Sequence, residues 1–271
     1  MDSYSQCAKV LLFLTILIKF ELWRMMMKST VKLTPNGPTI PISPELLQLE
    51  MPSRDTIAQP LLLKAKKEYE ANTGEFTTHL TDEMIQQLNL PQITSVEQLE
   101  QLGVDLYTNR LYEQHFYRVI LPEVIKFYRV HSEFVIDPDE LDTYSEAYIE
   151  QVDEQAEAEG LSLDKYVQQT WGISNGIDII AFLEQKAHDQ FYTHLIADQW
   201  YQEQGGELNR TAYDAFIQHQ VIHQRQDEIE LREQFSYQRF IEHYPEITWT
   251  QHLENHYRQE VELITNPNLE L

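Results

Sequence analysis

Two pairs of histidines have the i, i+4 spacing that places both imidazoles of a pair on one face of a helix: His219 with His223, and His252 with His256. In zinc proteases such a pair occurs as His-Glu-x-x-His, where the glutamate acts as the base. Neither pair has a glutamate at that position, and carboxylates are so frequent in this chain that one near a histidine pair occurs by chance. We therefore interpret the four histidines as surface residues and expect no structural or catalytic metal.

Motifs of other enzyme chemistries do not occur in the sequence. There is no Gly-rich phosphate loop and no Gly-x-Ser-x-Gly nucleophile turn. The single cysteine, Cys7, excludes an intrachain disulfide and a thiolate metal cluster. Paired carboxylates are too common to single out an acid–base site. The sequence therefore predicts a protein that is not an enzyme and uses no cofactor.

Aromatic residues make up 11% of the chain and recur along its predicted helices. Most aromatic side chains of a folded protein lie in its core, and this interpretation stays open for each of them. A long, narrow helical body has too little interior to cover them all, so some are expected to form exposed apolar patches. Tyrosine suits adaptable contacts because its ring is flat and apolar while its hydroxyl stays in water. The candidates for a surface that binds an apolar partner are Tyr107, Phe116, Tyr144, Tyr148, Phe182, Phe191, Tyr192, Trp200, Tyr201, Phe216 and Phe240.

Charge is distributed unevenly along the sequence. Before Glu75 there are 9 Lys and Arg against 7 Asp and Glu, whereas from Glu75 onward there are 11 against 37, a net charge of −26. Such a field repels phosphate backbones and anionic lipid head groups, so binding of nucleic acid or of a membrane surface by this part is disfavoured. A well-solvated acidic protein and a surface that mimics nucleic acid are both compatible with this charge.

The composition predicts an all-α fold. Glycine is rare, with 8 residues, while Glu, Gln and Leu are abundant, which favours helices over a turn-rich sheet. Capping boxes are predicted for Thr94 with Glu97 and for Asp137 with Glu140, and Thr211 is predicted to cap a later helix. The predicted architecture is a set of elongated multi-helical arms, joined by short capped turns, around a cleft.

Proline and glycine predict where these helices bend or end. Pro122 is expected to kink a long helix near Leu121, because proline removes one backbone donor and clashes with the preceding turn. Gly160 and the pair Gly205-Gly206 are expected to end helices in the left-handed conformation. The helices predicted after Gly172 cover 177–204, 236–244 and 248–264.

Three segments are predicted along the chain. Residues 1–27 form an apolar leader with three interpretations: an upstream extension before a start at Met25, Met26 or Met27, a signal or anchor through residues 10–20, or a genuine folded helix. Residues 10–20 are too few for a comfortable bilayer span. Residues 28–74 form a Pro-rich arm followed by a short basic helix over 61–71. Residues 75–271 form the main helical domain.

A series of helix starts and stops spans about 190 residues of the chain. This series resembles the C-terminal, client-binding domain of trigger factor, a bacterial chaperone that cradles nascent chains. The core of SurA-type chaperones is similar in build. The segments that carry the resemblance are Leu80–Glu83, Ser95–Leu99, Ser132–Leu141, Glu159–Tyr166 and, weakly, Gly206–Thr211.

The resemblance implies an ATP-independent chaperone whose helical arms hold unfolded or nascent polypeptides. Full-length trigger factor also has a ribosome-docking domain with a Gly-Phe-Arg-x-Gly-Lys-type loop and a prolyl-isomerase domain. This sequence contains no Gly-Phe dipeptide and too few residues before Thr81 for either domain. We therefore expect no ribosome docking and no isomerase activity.

Two functional hypotheses stay open. The first is a cytoplasmic holdase or folding helper, which would be exported or membrane-anchored if residues 10–20 are a genuine leader. The second is an acidic helical scaffold that binds one dedicated folded protein. A holdase tolerates many clients, whereas a scaffold is saturated by a single partner.

Overall fold

A computed structural model describes residues 28–35, 39–174 and 176–269, apart from the side chains of residues 223 and 224. The predictions for residues 1–27 lie outside this range. The fold is all-α, as predicted, with four short strands among the described residues. The helices are α1 (Arg54–Thr73), α2 (Asp82–Gln87), α3 (Val96–His115), α4 (Leu121–His131), α5 (Pro138–Ala158), α6 (Leu163–Trp171), α7 (Ile179–Glu203), α8 (Arg210–Gln224), α9 (Glu228–Gln234) and α10 (Tyr237–Arg258), and the strands are β1 (Thr30–Lys32), β2 (Gln48–Met51), β3 (Glu133–Val135) and β4 (Glu262–Thr265).

The chain divides into two compact units. The larger unit combines the described residues up to Ile40 with Ile125–Leu253, and the smaller unit combines Pro41–Val124 with the described residues from Glu254 onward. Each unit is therefore built from two separate stretches of the sequence. This division crosses the boundary between the segments 28–74 and 75–271 that the sequence suggested.

In the smaller unit, α1, α2 and α3 pack around Ala65, Ile85 and Leu99, which are at most 5% exposed. Gly103 of α3 allows a close approach to α1, because a Cβ at this position would lie 3.4 Å from the Cα of Ala58. A short 3₁₀ helix precedes β2, which pairs in parallel with β4. The predicted helix over 248–264 is wrong in its last turn, where β4 forms because β2 supplies backbone partners from the other end of the chain.

Helix α1 begins earlier than the sequence suggested. It starts after Ser53, whose hydroxyl accepts a hydrogen bond from the Thr56 N–H, and it contains Pro60. Pro60 costs the helix only one backbone hydrogen bond, and the Ser53 cap together with the burial of Ile57 and Ala58 compensates for that loss. The predicted start at residue 61 is therefore wrong. The helix ends at Thr73, two residues after the predicted end at residue 71, and Gly74 follows it in the left-handed conformation.

The cap of α3 lies one residue beyond the predicted position. Ser95, and not Thr94, accepts a hydrogen bond from the Gln98 N–H. The side chain of Gln98 in turn accepts a hydrogen bond from the Thr94 N–H at 2.7 Å. Ser95 and Gln98 have the same spacing as Thr94 and Glu97, but the predicted box is not reproduced, because Gln98 binds the N–H of Thr94 and not that of the cap residue Ser95.

A π-helical turn, Phe116–Ile120, joins α3 to α4. The Leu121 N–H donates to the Phe116 carbonyl, five residues back. Pro122 has no N–H to donate to the carbonyl four residues before it, and the wider π turn adapts the chain to that missing bond. The predicted interruption near Leu121 thus takes the form of a π turn.

The larger unit is organised around α7, which contributes twelve buried residues. Helix α5 packs along α7, and Val152, Val167 and Leu183 join α5, α6 and α7 in one apolar cluster. A buried ring contact between Tyr128 and Trp249, with centroids 6.4 Å apart, connects α4 and α10. The aromatic side chains of this unit therefore contribute substantially to its core.

Helix ends in the larger unit agree with the sequence where they depend on local bonds. Asp137 caps α5 by accepting from the N–H groups of Asp139 and Glu140, and Gly160 ends the same helix in the left-handed conformation. The predicted box is wrong in one respect, because the carboxylate of Glu140 binds the N–H groups of Lys28 and Ser29 instead of the Asp137 N–H.

Three features near the C-terminal end of this unit differ from the prediction. Asn209, and not Thr211, caps α8, and Asp227 caps a helix, α9, that the sequence did not indicate. Helix α10 contains Pro245 and continues across the gap between the helices predicted over 236–244 and 248–264. The lost backbone bond at Pro245 is outweighed by burial of neighbouring residues such as Trp249 and Leu253.

Candidate functional site

An aromatic cleft of about 900 Å³ opens in the larger unit where the C-terminal end of α7 meets α8, α9 and α10. Four rings form its apolar wall, and polar side chains including His219, Gln234 and Arg239 complete it. We call this site the aromatic cleft. Its four rings are those of Tyr201, Phe216, Phe235 and Tyr244.

Phe216 lies at the centre of the ring contacts. Its centroid is 5.1 Å from that of Phe235 and 5.2 Å from that of Tyr244. Phe240, fully buried beneath the cleft, stacks on Tyr244 with centroids 4.4 Å apart, because the two residues are one turn apart on α10. The wall is therefore backed by core packing, which holds the rings in place.

The turn after α7 positions Tyr201. Gly205 has φ +75°, in the left-handed conformation. Its N–H donates to the Gln202 carbonyl, and the Gly206 N–H donates to the Tyr201 carbonyl, both at 2.9 Å. These two bonds form a Schellman motif, so the predicted glycine stop is confirmed. Gly206 lies on the Tyr201 ring so closely that a Cβ there would be 2.4 Å from a ring carbon. The Tyr201 hydroxyl donates to the Glu207 carbonyl at 3.2 Å.

Replacing Gly206 with alanine is expected to lower the free energy of unfolding by about 1–3 kcal/mol, because the new methyl group must displace the Tyr201 ring or the turn. The measurement is urea unfolding within a double-mutant cycle. In a Tyr201→Leu background the same change should cost less than half as much, since the ring that it displaces is gone. Equal costs in both backgrounds would show that the turn itself, and not the ring, excludes a side chain.

The electrostatics of the aromatic cleft centre on Arg239. Burial lowers the pKa of its guanidinium, and the nearby Glu242 carboxylate opposes that shift. The Arg239 side chain donates to the Gln234 carbonyl at the end of α9. Burial also raises the pKa of Tyr201, so its hydroxyl stays protonated at neutral pH. The cleft thus combines an apolar wall with a few fixed donors, an arrangement that can bind an apolar group.

A polar layer crosses the interior of the larger unit between α7 and α10. The side-chain amide of Gln190 donates to both carboxylate oxygens of Glu246, at 2.9 and 3.1 Å. Burial raises the pKa of Glu246, while the bond from Gln190 opposes this effect and the Asp198 carboxylate adds to it. His194 lies 3.7 Å from Asp198 in the same layer. These groups tie two core helices together.

The eleven aromatic residues proposed from the sequence do not form one surface. Tyr201 and Phe216 line the aromatic cleft, whereas Tyr148 and Phe182 pack on the apolar cluster of α5, α6 and α7. Tyr107, on α3 of the smaller unit, is half-buried. Tyr192, also half-buried, lies with its ring centroid 5.0 Å from that of Phe134.

Six of the eleven, Tyr201 among them, are core residues, at most 9% exposed, and in this structure they offer little or no surface to a client. We expected exposed rings because a long, narrow helical body has little interior. The rings instead lie in the interior of two compact units. Phe191, for example, meets Tyr144 edge-on with centroids 5.4 Å apart. The six are Phe116, Tyr144, Phe191, Trp200, Tyr201 and Phe240. Tyr201 belongs to both groups because it lines the cleft although it is only 9% exposed.

Most residues that line the aromatic cleft were not among the sequence candidates, and they include Phe235, Tyr244, His219 and Arg239. The spacing of Phe240 and Tyr244 would have indicated one aromatic face on α10. Both residues lie in the helix predicted over 236–244, so this spacing was visible in the sequence, although Tyr244 was not among the candidates. Phe235 follows α9, a helix that the sequence did not indicate.

Among the described residues, no group of His, Cys, Asp and Glu side chains is arranged to hold a metal ion. His252 lies with its ring centroid 5.3 Å from that of Trp200, and His256 is 3.0 Å from the Glu260 carboxylate. The side chain of His223 lies outside the described part. Nor does any helix in the described ranges have the length and apolarity needed to cross a membrane.

The smaller unit contains a shallower cavity of about 310 Å³. Leu62, Leu63 and Leu80 line it together with Lys66, whose ammonium lies 3.9 Å from the Glu70 carboxylate on the same helix. This geometry places one of the three clustered lysines of α1 in an intrahelical ion pair.

No model of a known protein family matches the chain, and no curated protein and no solved structure matches it either.

Proposed function

We propose that the protein is an ATP-independent chaperone, a holdase or folding helper that binds unfolded or nascent polypeptide through its aromatic cleft. The observation that carries this proposal is an open cleft of about 900 Å³ with a wall of aromatic rings. The helix ends that resemble the client-binding domain of trigger factor support the same function. The proposal includes neither ribosome docking nor isomerase activity.

The size and chemistry of the aromatic cleft suit a short apolar segment. Sites that bind compact ligands have volumes of about 300–1,000 Å³, so this cleft has room for a few side chains. Flat rings such as Phe216 and Tyr244 accept many apolar shapes. Polar residues at the wall, among them Gln234 and His219, can bind the backbone groups of a peptide that enters.

Two of the helices that form the cleft also carry exposed apolar side chains, which add apolar surface for a client. Ile222 of α8 and Ile229 of α9 are 68% and 72% exposed. The net charge of −24 keeps a protein with such residues soluble and self-repelling. Binding to an unfolded client is expected to be weak, with a dissociation constant of about 1 μM, because the client loses conformational entropy when it is held.

The test is light scattering of two chemically different denatured proteins that aggregate on dilution, with the full chain added and no ATP. Suppression of both aggregations, undiminished at high salt, is expected because apolar contact drives binding and salt screens only charge. Protection of neither client would contradict the proposal. Protection that disappears at high salt would indicate that charge, and not the aromatic cleft, holds the client.

The scaffold hypothesis is favoured by one observation, the burial of six of the eleven candidate aromatic residues. This leaves a defined cleft instead of a continuous apolar surface, and a defined cleft also fits one side-chain cluster of a single folded partner. Isothermal titration distinguishes the two functions. Tight, saturable binding to one folded protein, with no protection of denatured clients, would establish the scaffold.

A further inference from the structure

Residues 28–34 lie in the larger unit in the way that a peptide ligand lies in a binding site. Strand β1 pairs antiparallel with β3, with Val31 opposite Phe134, and it contacts α7. About a hundred residues separate the two strands in sequence, so this contact is tertiary. We call residues 28–34 the N-terminal segment, and we call β3 with Ser132 and the first turn of α5 the strand groove.

One end of the N-terminal segment is fixed by a buried carboxylate. Glu140 is 9% exposed, and its two oxygens accept the backbone N–H groups of Lys28 and Ser29 at 2.5 and 2.8 Å. The Ser29 hydroxyl accepts from the Asp137 N–H at 2.9 Å. Three of the polar contacts at this end therefore use a backbone N–H group. Two of these groups, those of Lys28 and Ser29, belong to the segment, and the third is that of Asp137.

The other end of the segment is also held through a backbone N–H group. The Thr34 N–H donates to the Ser132 hydroxyl at 3.0 Å. Between the two ends, the side chains alternate between the unit and solvent. Ser29, Val31 and Leu33 are buried, at 4%, 7% and 5% exposure, whereas Thr30 and Lys32 are exposed.

We propose that the strand groove binds an extended segment of another, unfolded polypeptide in place of the chain's own N-terminal segment. Apart from the Ser29 hydroxyl and the ion pairs of Lys28 with Asp137 and of Lys32 with Glu133, the polar contacts are to the backbone, which every polypeptide has. The groove therefore selects mainly an extended conformation. The buried positions add one preference, a small polar residue followed by apolar residues at alternate positions. This site is separate from the aromatic cleft, and the inference does not depend on it.

The tethered segment sets the conditions under which another chain can bind. A segment on the same polypeptide competes at an effective concentration of about 1 mM, so a free peptide enters the groove only when the segment is released or the peptide is abundant. The groove is thus closed by the protein's own chain until a competitor displaces it. Weakening the segment should therefore raise the affinity for an added peptide.

The test uses the full chain and an acetylated, fluorescein-labelled peptide with the sequence of residues 28–35. Val31→Asp puts a charge on the buried face of the segment and should release it. Thr30→Asp puts the same charge on the exposed face of the same strand and is the matched control. Fluorescence anisotropy measures the dissociation constant of the peptide for each variant.

The Val31→Asp variant should bind the peptide at least about tenfold more tightly than the unchanged protein, and Thr30→Asp should differ from it by less than about twofold. Adding Glu140→Ala to Val31→Asp should weaken binding about tenfold. Equal affinities of all variants, or equal binding of a peptide in which the apolar residues are adjacent, would overturn the proposal. A dimer that Val31→Asp dissociates would also overturn it, because the groove would then bind a second copy.

Hydrogen exchange of the unchanged protein gives a second measurement in case Val31→Asp does not fold. Excess unlabelled peptide should speed amide exchange at Val31 and Leu33 and leave the amides of β3 protected. Unchanged exchange in the N-terminal segment at millimolar peptide would overturn the proposal without the use of any variant.

Discussion

Replacing Phe191 with alanine is expected to lower the free energy of unfolding of the larger unit by about 3–5 kcal/mol. The Phe191 ring is fully buried on α7 and contacts the rings of Tyr144 and Tyr192, with centroids 5.4 and 6.3 Å away. Alanine would leave a cavity that the surrounding helices fill only in part. Urea unfolding followed by circular dichroism measures the change.

The neighbouring residue provides the control for this prediction. Tyr192 is half-buried, so Tyr192→Ala should cost less than Phe191→Ala. Client affinity of the folded Phe191→Ala protein should stay within about twofold of the unchanged protein, because the ring does not reach the surface. A stable Phe191→Ala protein that has lost client binding would instead place Phe191 in the client site, as the sequence suggested.

Replacing Phe216 with alanine is expected to raise the dissociation constant for an unfolded client about tenfold, equivalent to about 1.4 kcal/mol. Phe216 lies at the centre of the aromatic cleft, and its removal separates the rings of Phe235 and Tyr244 from each other. Fluorescence anisotropy of a labelled, permanently unfolded client measures the affinity, at a temperature where every variant is folded.

Phe182→Ala is the matched control for Phe216→Ala. Phe182 is also a half-buried phenylalanine of the larger unit, but it packs on Trp171, with centroids 5.9 Å apart, outside the aromatic cleft. Both changes remove the same ring from a similar degree of burial, so both should destabilise the protein. An equal loss of client affinity in the two variants would mean that lowered stability, and not the cleft, accounts for the effect.

Features that depend on neighbouring residues could be predicted from the sequence. The stops at Gly74, Gly160 and Gly205 follow from the ease with which glycine adopts positive φ, and the Asp137 cap follows from its short acceptor side chain. Even so, where two nearby residues could both cap a helix, the predicted cap was wrong by one or two residues. Thr94 was chosen where Ser95 caps the helix, for example.

Features that depend on distant partners could not be predicted in the same way. Strand β4 forms because β2 pairs with it, and β1 forms because β3 and Glu140 receive the N-terminal segment. Helix α10 continues through Pro245 because packing of the residues around it outweighs one missing hydrogen bond. In each case the deciding contact lies far away in sequence or depends on burial.

The sequence by itself determined that the protein is mostly helical, where many of its helices end, and that it carries a large negative charge. Helix propensities and caps depend on neighbouring residues, and the net charge is a sum over residues, so none of the three needs the tertiary structure. The tertiary structure decided which aromatic rings are covered. Phe191 and Phe240 are buried while Phe216 lines a cleft, although all three are phenylalanines within helices. Burial depends on which helices pack together, and that information is not contained in the spacing of residues along any one helix.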